Sequence, residues 1–268
     1  MLRRELVWFF VRKFRKHMLI VSLSAGLLIF LLTVMFPAME IGNAEAISAN
    51  WPQLMKDMFG DPLSGFTDIY GWLELELFHI TFWAVFGIFA SFLAANIIAK
   101  EYENKTIDLM LATPVSRAEL IINRLVGLFI LLLVAVLPVV IGCILGLVVL
   151  NLEVELLPLL SASLSGFLLS LLFAGVTLLV SIFTRSQTIS ILISLAIFGF
   201  FFLFSYMVIP VVPALKSLSA ISPFHFYDTA GVLMRHSYSW LNPLILLLAF
   251  VGLAFVSSLV FARKDVIY

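Results

Sequence analysis

The chain has 268 residues, 63% of them hydrophobic and only 12% charged, with a mean hydropathy of +1.15. A soluble protein of this length could not hide so much apolar surface, so the composition calls for a bilayer. Sixteen basic and sixteen acidic residues cancel to zero formal charge, and that balance conceals an asymmetry that appears once the spans are marked.

The first 17 residues are amphipathic. On a helical wheel Leu2, Leu6, Val7, Phe9, Phe10, Val11 and Phe14 gather on one side. Arg4, Glu5, Arg12, Arg15 and Lys16 gather on the other, with Arg3 and Lys13 at the apolar margin. This predicts a helix over 1–17 that lies in the membrane interface and leads into the first span. No small-residue cleavage site follows the first apolar run, which therefore reads as a retained helix and not a signal peptide.

Crossing the hydrocarbon core takes about 20 apolar residues. Six runs qualify: 18–36, 77–99, 125–150, 156–183, 188–210 and 241–262. The expected fold is all-α, a single polytopic transmembrane domain over 1–268 with both termini on one side of a cell membrane. With the termini cytoplasmic, inner segments hold thirteen of the sixteen Lys and Arg residues and outer segments hold Lys56, Lys216 and Arg235. That asymmetry predicts a cytoplasmic N- and C-terminus.

Two extracytoplasmic segments follow from this plan, 37–76 and 211–240. Within the first, "NWPQLMKDMFG" spaces Trp51, Leu54, Met55, Met58 and Phe59 as one helical face, with Asn50 to cap it and Gly60 to end it. Within the second, "SPFHFYDTAGVLM" offers Ser222-Pro223 as a helix start and suits a segment dipping back into the membrane. Glu76 with His79, near Glu74, and His225 with Asp228 stand at i, i+3. Carboxylate and imidazole on one helical face can hold a divalent ion, and they equally anchor a helix end at the interface. No metal site is predicted.

The absences discriminate further. The six runs contain no Asp, Glu, Lys or Arg, and His79 is their single histidine. Ion-coupled carriers and intramembrane hydrolases need buried ionisable groups, so both classes are disfavoured. No GxxxxGK[ST] loop occurs in the sequence, so no enzymatic ATP hydrolysis of the P-loop kind is expected of this chain. Cys143, the single cysteine, lies inside an apolar run and can form no intrachain disulfide.

Between the second and third spans, residues 100–124 are far longer than a connector needs to be. Glu101 and Lys105 form an i, i+4 pair in the favourable order, and Ile107, Met110 and Leu111 share a face with Leu109 at its flank. Together these predict an amphipathic helix of roughly ten residues, stopped at Thr113-Pro114 because the residue before proline is pushed out of the α region. Ser116 and Glu119 then make a capping box from which a new helix runs into the third span.

The stretch "EYENKTIDLMLATPVSRAELIINRL" resembles the cytoplasmic segment of type-2 ATP-binding-cassette (ABC) transporter permeases. The pattern is acidic-x-(Gly or Lys)-Thr-(Ile/Leu)-acidic, a Leu-rich patch, then Pro-(Val/Ile)-Ser-Arg. Glu103, Lys105, Thr106, Ile107, Asp108, Leu109, Leu111, Pro114, Val115, Ser116 and Arg117 match it. Asn123-Arg124 departs from it, since many relatives carry Gly-Lys there. The resemblance implies the permease subunit of an ATP-driven exporter, working by alternating access. It implies two cytoplasmic ABC ATPase subunits that bind the ATP and Mg²⁺, no cofactor in this chain, and a second permease, the same chain or another. It also implies ATPase coupling through Glu101, Tyr102, Glu103, Lys105, Thr106, Asp108, Leu109, Pro114 and Arg117. The alternative is a membrane-anchored scaffold or sensor that recruits a cytoplasmic partner without transport.

Overall fold

A computed structural model describes residues 3–39, 68–106 and 116–263. Among them stand six helices long and apolar enough to cross a bilayer: α1 (Arg4–Val34), α2 (Ile69–Ala95), α3 (Arg117–Val149), α4 (Leu156–Thr184), α5 (Gln187–Val211) and α6 (Leu241–Arg263). There is no strand among the described residues. The chain is an all-α, multi-pass membrane protein. The predicted helix within 50–60 lies outside the described residues.

Two boundaries differ from expectation, each for a physical reason. The interfacial helix and the first span are one continuous helix of 31 residues, about 46 Å long and so longer than the hydrocarbon core. Phe10, Val11 and Phe14 continue the same buried stripe as Met18, Ser22, Ala25 and Ile29, so a single face packs along the whole rod. Phe9, grouped with that face on the wheel, is exposed instead. The second span starts at Ile69, eight residues before the apolar run. Asp68 caps it, accepting from Tyr70 N at 3.1 Å and Gly71 N at 3.0 Å. The added turns take in Glu74 and Glu76, and the winding loosens to a π-helix over Glu74–Thr81.

Parallel helices α1 and α3 make one closely packed layer. A Cβ at Gly26 would lie 2.6 Å from the Pro138 carbonyl oxygen, and one at Gly142 would collide with the Gly26 carbonyl. One turn on, a Cβ at Gly146 would lie 2.6 Å from the Thr33 side chain. Gly142 and Gly146 form a GxxxG motif that lets the two backbones touch, as membrane helices without a hydrophobic driving force require.

Helix α4 is the hub. Gly166 receives the Phe82 ring of α2, Phe173 packs on Gly87, and Gly175 meets Leu253 of α6. Its hydroxyls are satisfied within the helix: Ser170, Thr177 and Ser181 donate to the carbonyls four residues back at 2.7–2.8 Å. Helix α5 is held differently. Its buried residues Ser190, Ser194 and Phe198 form one seam, with the Phe198 ring stacked on Phe173 at 3.5 Å, while Leu192, Phe200, Leu203 and Met207 face outward.

Candidate functional site

Arg3, Lys13, Lys100, Arg117, Arg124, Arg185 and Arg263 collect at one end of the bundle, and the expected coupling residues lie among them. The helix over Ala99–Glu103 is short, and its end is defined by backbone bonds. Thr106 N donates to Glu101 O at 2.9 Å and Lys105 N to Tyr102 O at 3.0 Å, the paired bonds of a Schellman motif. Lys105 occupies its left-handed position, φ 55°. The pattern Gly-or-Lys at this position therefore has a backbone reason. The bend ends this helix at Glu103, short of Lys105, and Glu101 turns toward other elements instead of pairing with Lys105; the remainder of the expected ten-residue helix, from Ile107 on, lies outside the described residues.

Glu101 is the centre of the network. Arg124 Nη1 of α3 lies 3.1 Å from Glu101 Oε1, both side chains being only 14% exposed, and also donates to Ile97 O at 2.8 Å. Lys13 of α1 approaches Glu101 to 4.0 Å, and the Thr106 hydroxyl donates to Glu101 Oε2. Burial by itself would raise the Glu101 carboxyl, but the Thr106 hydrogen bond and the Arg124 and Lys13 charges together hold it below its ordinary value.

Glu103 faces the other way. Its carboxylate accepts from Gln187 N, the first residue of α5, at 3.3 Å, with Lys100 at 3.6 Å beside it. Next to that contact the Arg185 guanidinium sits 5.4 Å over the buried Tyr102 ring. Arg185 is the left-handed residue that ends α4, so Tyr102 and Glu103 hold the α4–α5 turn from both sides. Arg117 Nη1 reaches Phe261 O of α6 at 3.4 Å. Ser116 caps α3 as expected, accepting from Glu119 N at 3.2 Å, while the Glu119 carboxylate pairs with Arg3 at 3.2 Å. Asp108, Leu109 and Pro114 lie outside the described residues.

Sequence reasoning did not single out Lys13, Arg124, Arg185 or Gln187. Asn123-Arg124, a departure from the family pattern, is where contacts concentrate: Asn123 Oδ1 also accepts from Arg3 N at 2.7 Å. An arginine two turns into α3, with no acidic residue three or four positions away in sequence, is the available signal.

At the opposite end, the segment before α6 folds into two 3₁₀ helices, Pro213–Ile221 and Pro223–Phe226, and the helix Thr229–Arg235, with "SPFHFYD" supplying the second and the cap of the third. Ser222 caps the second turn, accepting from Phe224 N at 3.2 Å. Phe224 sits among Trp83, Phe202 and Tyr206. Tyr227 donates its hydroxyl to Phe78 O in the π-wound part of α2 at 2.8 Å, and Thr229 donates to the buried Glu74 at 3.0 Å. Asp228 caps the helix through Gly231 N and meets Arg235 at 3.3 Å, while His225 packs on Phe226. No group of three or more His, Cys, Asp or Glu side chains that could hold a metal occurs among the described residues.

The family profile described as ABC-2 family transporter protein matches residues 15–266, nearly the whole chain. The chain belongs to this family. No curated protein matches it. As an ABC-2 permease it is a membrane-spanning subunit of an ABC transporter, and family membership implies an ABC ATPase subunit as partner. The ABC-2 permease thus carries its most specific sequence motif at the end where α1, α3, α5 and the end of α4 are all within reach of the segment 99–106.

Proposed function

We propose that this permease forms the translocation pathway of an ATP-driven exporter in a cell membrane, with its basic end in the cytoplasm and ATP hydrolysed by separate subunits that bind the nucleotide and Mg²⁺. Residues 101–117 dock on the ATPase and pass its motion to the spans. The observation that carries this reading is the Glu103–Gln187 contact: the family's coupling segment caps α5, whose half nearest that contact buries only the seam of Ser190, Ser194 and Phe198. That half can tilt against α4 at small cost, pivoting where Phe202 and Tyr206 pack around Phe224, and the outward apolar face of α5 suits both a second permease and a hydrophobic or amphipathic cargo. Alternating access then consists of α5 moving while α1–α3 and α4 hold the frame.

Asp108 and Leu109 lie in the part of the motif expected to enter the ATPase groove. Asp108→Arg or Leu109→Asp in the reconstituted complex should abolish permease-dependent stimulation of ATP hydrolysis while the spans stay folded. Unchanged stimulation in both variants would sink the docking assignment.

A further inference from the structure

Between α3 and α6, on the half of the bundle nearest the basic end, runs a groove of about 480 Å³. Ala118, Ile122 and Phe129 line one wall and Ala254, Phe255 and Leu259 the other. Its polar lining residue Ser258 donates to Ala254 O at 2.8 Å, so the groove offers hydrocarbon contact and no free hydroxyl hydrogen. The volume falls in the range of small-molecule sites.

The mouth is charged. Arg117, beside Ala118, bridges to the last turn of α6 through Phe261 O and lies over the Phe261 ring at 5.9 Å. Arg263 stands one turn beyond Leu259 on the same ridge of α6 and is exposed. Glu119, the nearest acid on α3, pairs with Arg3 on the side of α1. Two positive charges therefore cap an apolar slot at membrane depth, the arrangement that recognises an anionic headgroup with its chains in the slot.

We propose that the α3–α6 groove binds an anionic phospholipid, its acyl chain along Ile122 and Leu259 and its phosphate at Arg117 and Arg263. Arg117 contributes charge at the mouth and Arg263 contributes exposed donors. A second copy of the chain fits worse. An isologous contact on this face would set the same arginines of two protomers against each other.

Native mass spectrometry of the purified transporter in mixed phosphatidylglycerol and phosphatidylcholine tests this directly. The wild type should retain phosphatidylglycerol at least about fivefold over phosphatidylcholine, the effect of one basic residue at an anionic surface. Arg263→Gln, an exposed change, should cut phosphatidylglycerol retention about fivefold and leave phosphatidylcholine as it was. Leu259→Trp, also exposed, should lower retention of both lipids by filling the groove. Equal retention of the two lipids by the wild type, or no response to Arg263→Gln, overturns the proposal. So does disulfide cross-linking of two copies through Ala254→Cys.

Discussion

The two ends of the bundle are held together by different physics. At the basic end, charged side chains on separate elements meet across short gaps: Arg124 and Lys13 on Glu101, and Arg3 on Glu119. At the opposite end, Tyr227 and Thr229 make buried hydrogen bonds to α2, and aromatic rings fill the space around Phe224. Exposed pairs such as Arg3–Glu119 contribute little each and rearrange readily, whereas the buried Glu101–Arg124 pair and the buried Tyr227 bond are costly to leave unmade. On the proposed coupling, the basic end receives the signal and the other stays shut until α5 moves.

The frame joining the ends should be the most sensitive part. Gly142→Leu would drive a side chain into the Gly26 carbonyl and should cost at least about 3 kcal/mol, seen as loss of folded protein on thermal unfolding in detergent. Arg124→Ala removes the main partner of a largely buried carboxylate. It should cost up to about 3 kcal/mol, moderated by Lys13 and Thr106 remaining. Tyr227→Phe deletes one buried bond and should cost about 1 kcal/mol, with no dependence on salt between 0.05 and 0.5 M, roughly the range over which surface pairs are screened. An equal salt response in the Arg124 and Tyr227 variants would erase the contrast between the ends.

The smallest expected effect is in pH. Glu101 titrates below its ordinary 4.5 in the folded chain, so its contribution is complete above that value and is lost as pH falls through the lowered one. Glu101→Gln should flatten this acid-side loss of stability in a pH series of melting temperatures, and a slope identical to wild type would contradict the network.

Hydropathy alone located all six spans, because runs such as 156–183 are apolar on every face. The Ser116 cap was equally legible, since its partner stands three residues away. The misses share a cause: they depend on partners remote in sequence. Glu74 reads as a solvated flank until Thr229, 155 residues on, supplies a bond that lets α2 start early. The first helix looks divisible at Lys16 until α3 is seen to accept one stripe from Phe10 to Thr33. Lys105 reads as the second half of a helical pair, and only the backbone reveals that it ends the helix. Of the expected coupling residues, the family resemblance pointed to Glu101, Tyr102 and Glu103, but their grips on Arg124, Arg185 and Gln187 belong to the fold.

The central claim is that the coupling segment moves α5 through Glu103. Spin labels at Leu203→Cys on α5 and Leu248→Cys on α6, both exposed, report that motion in the transporter assembled with its ATPase. The account predicts an ATP-dependent change in the label distance that disappears in Glu103→Ala while the ATPase remains bound. The same ATP-dependent change with and without the Glu103 carboxylate would contradict it.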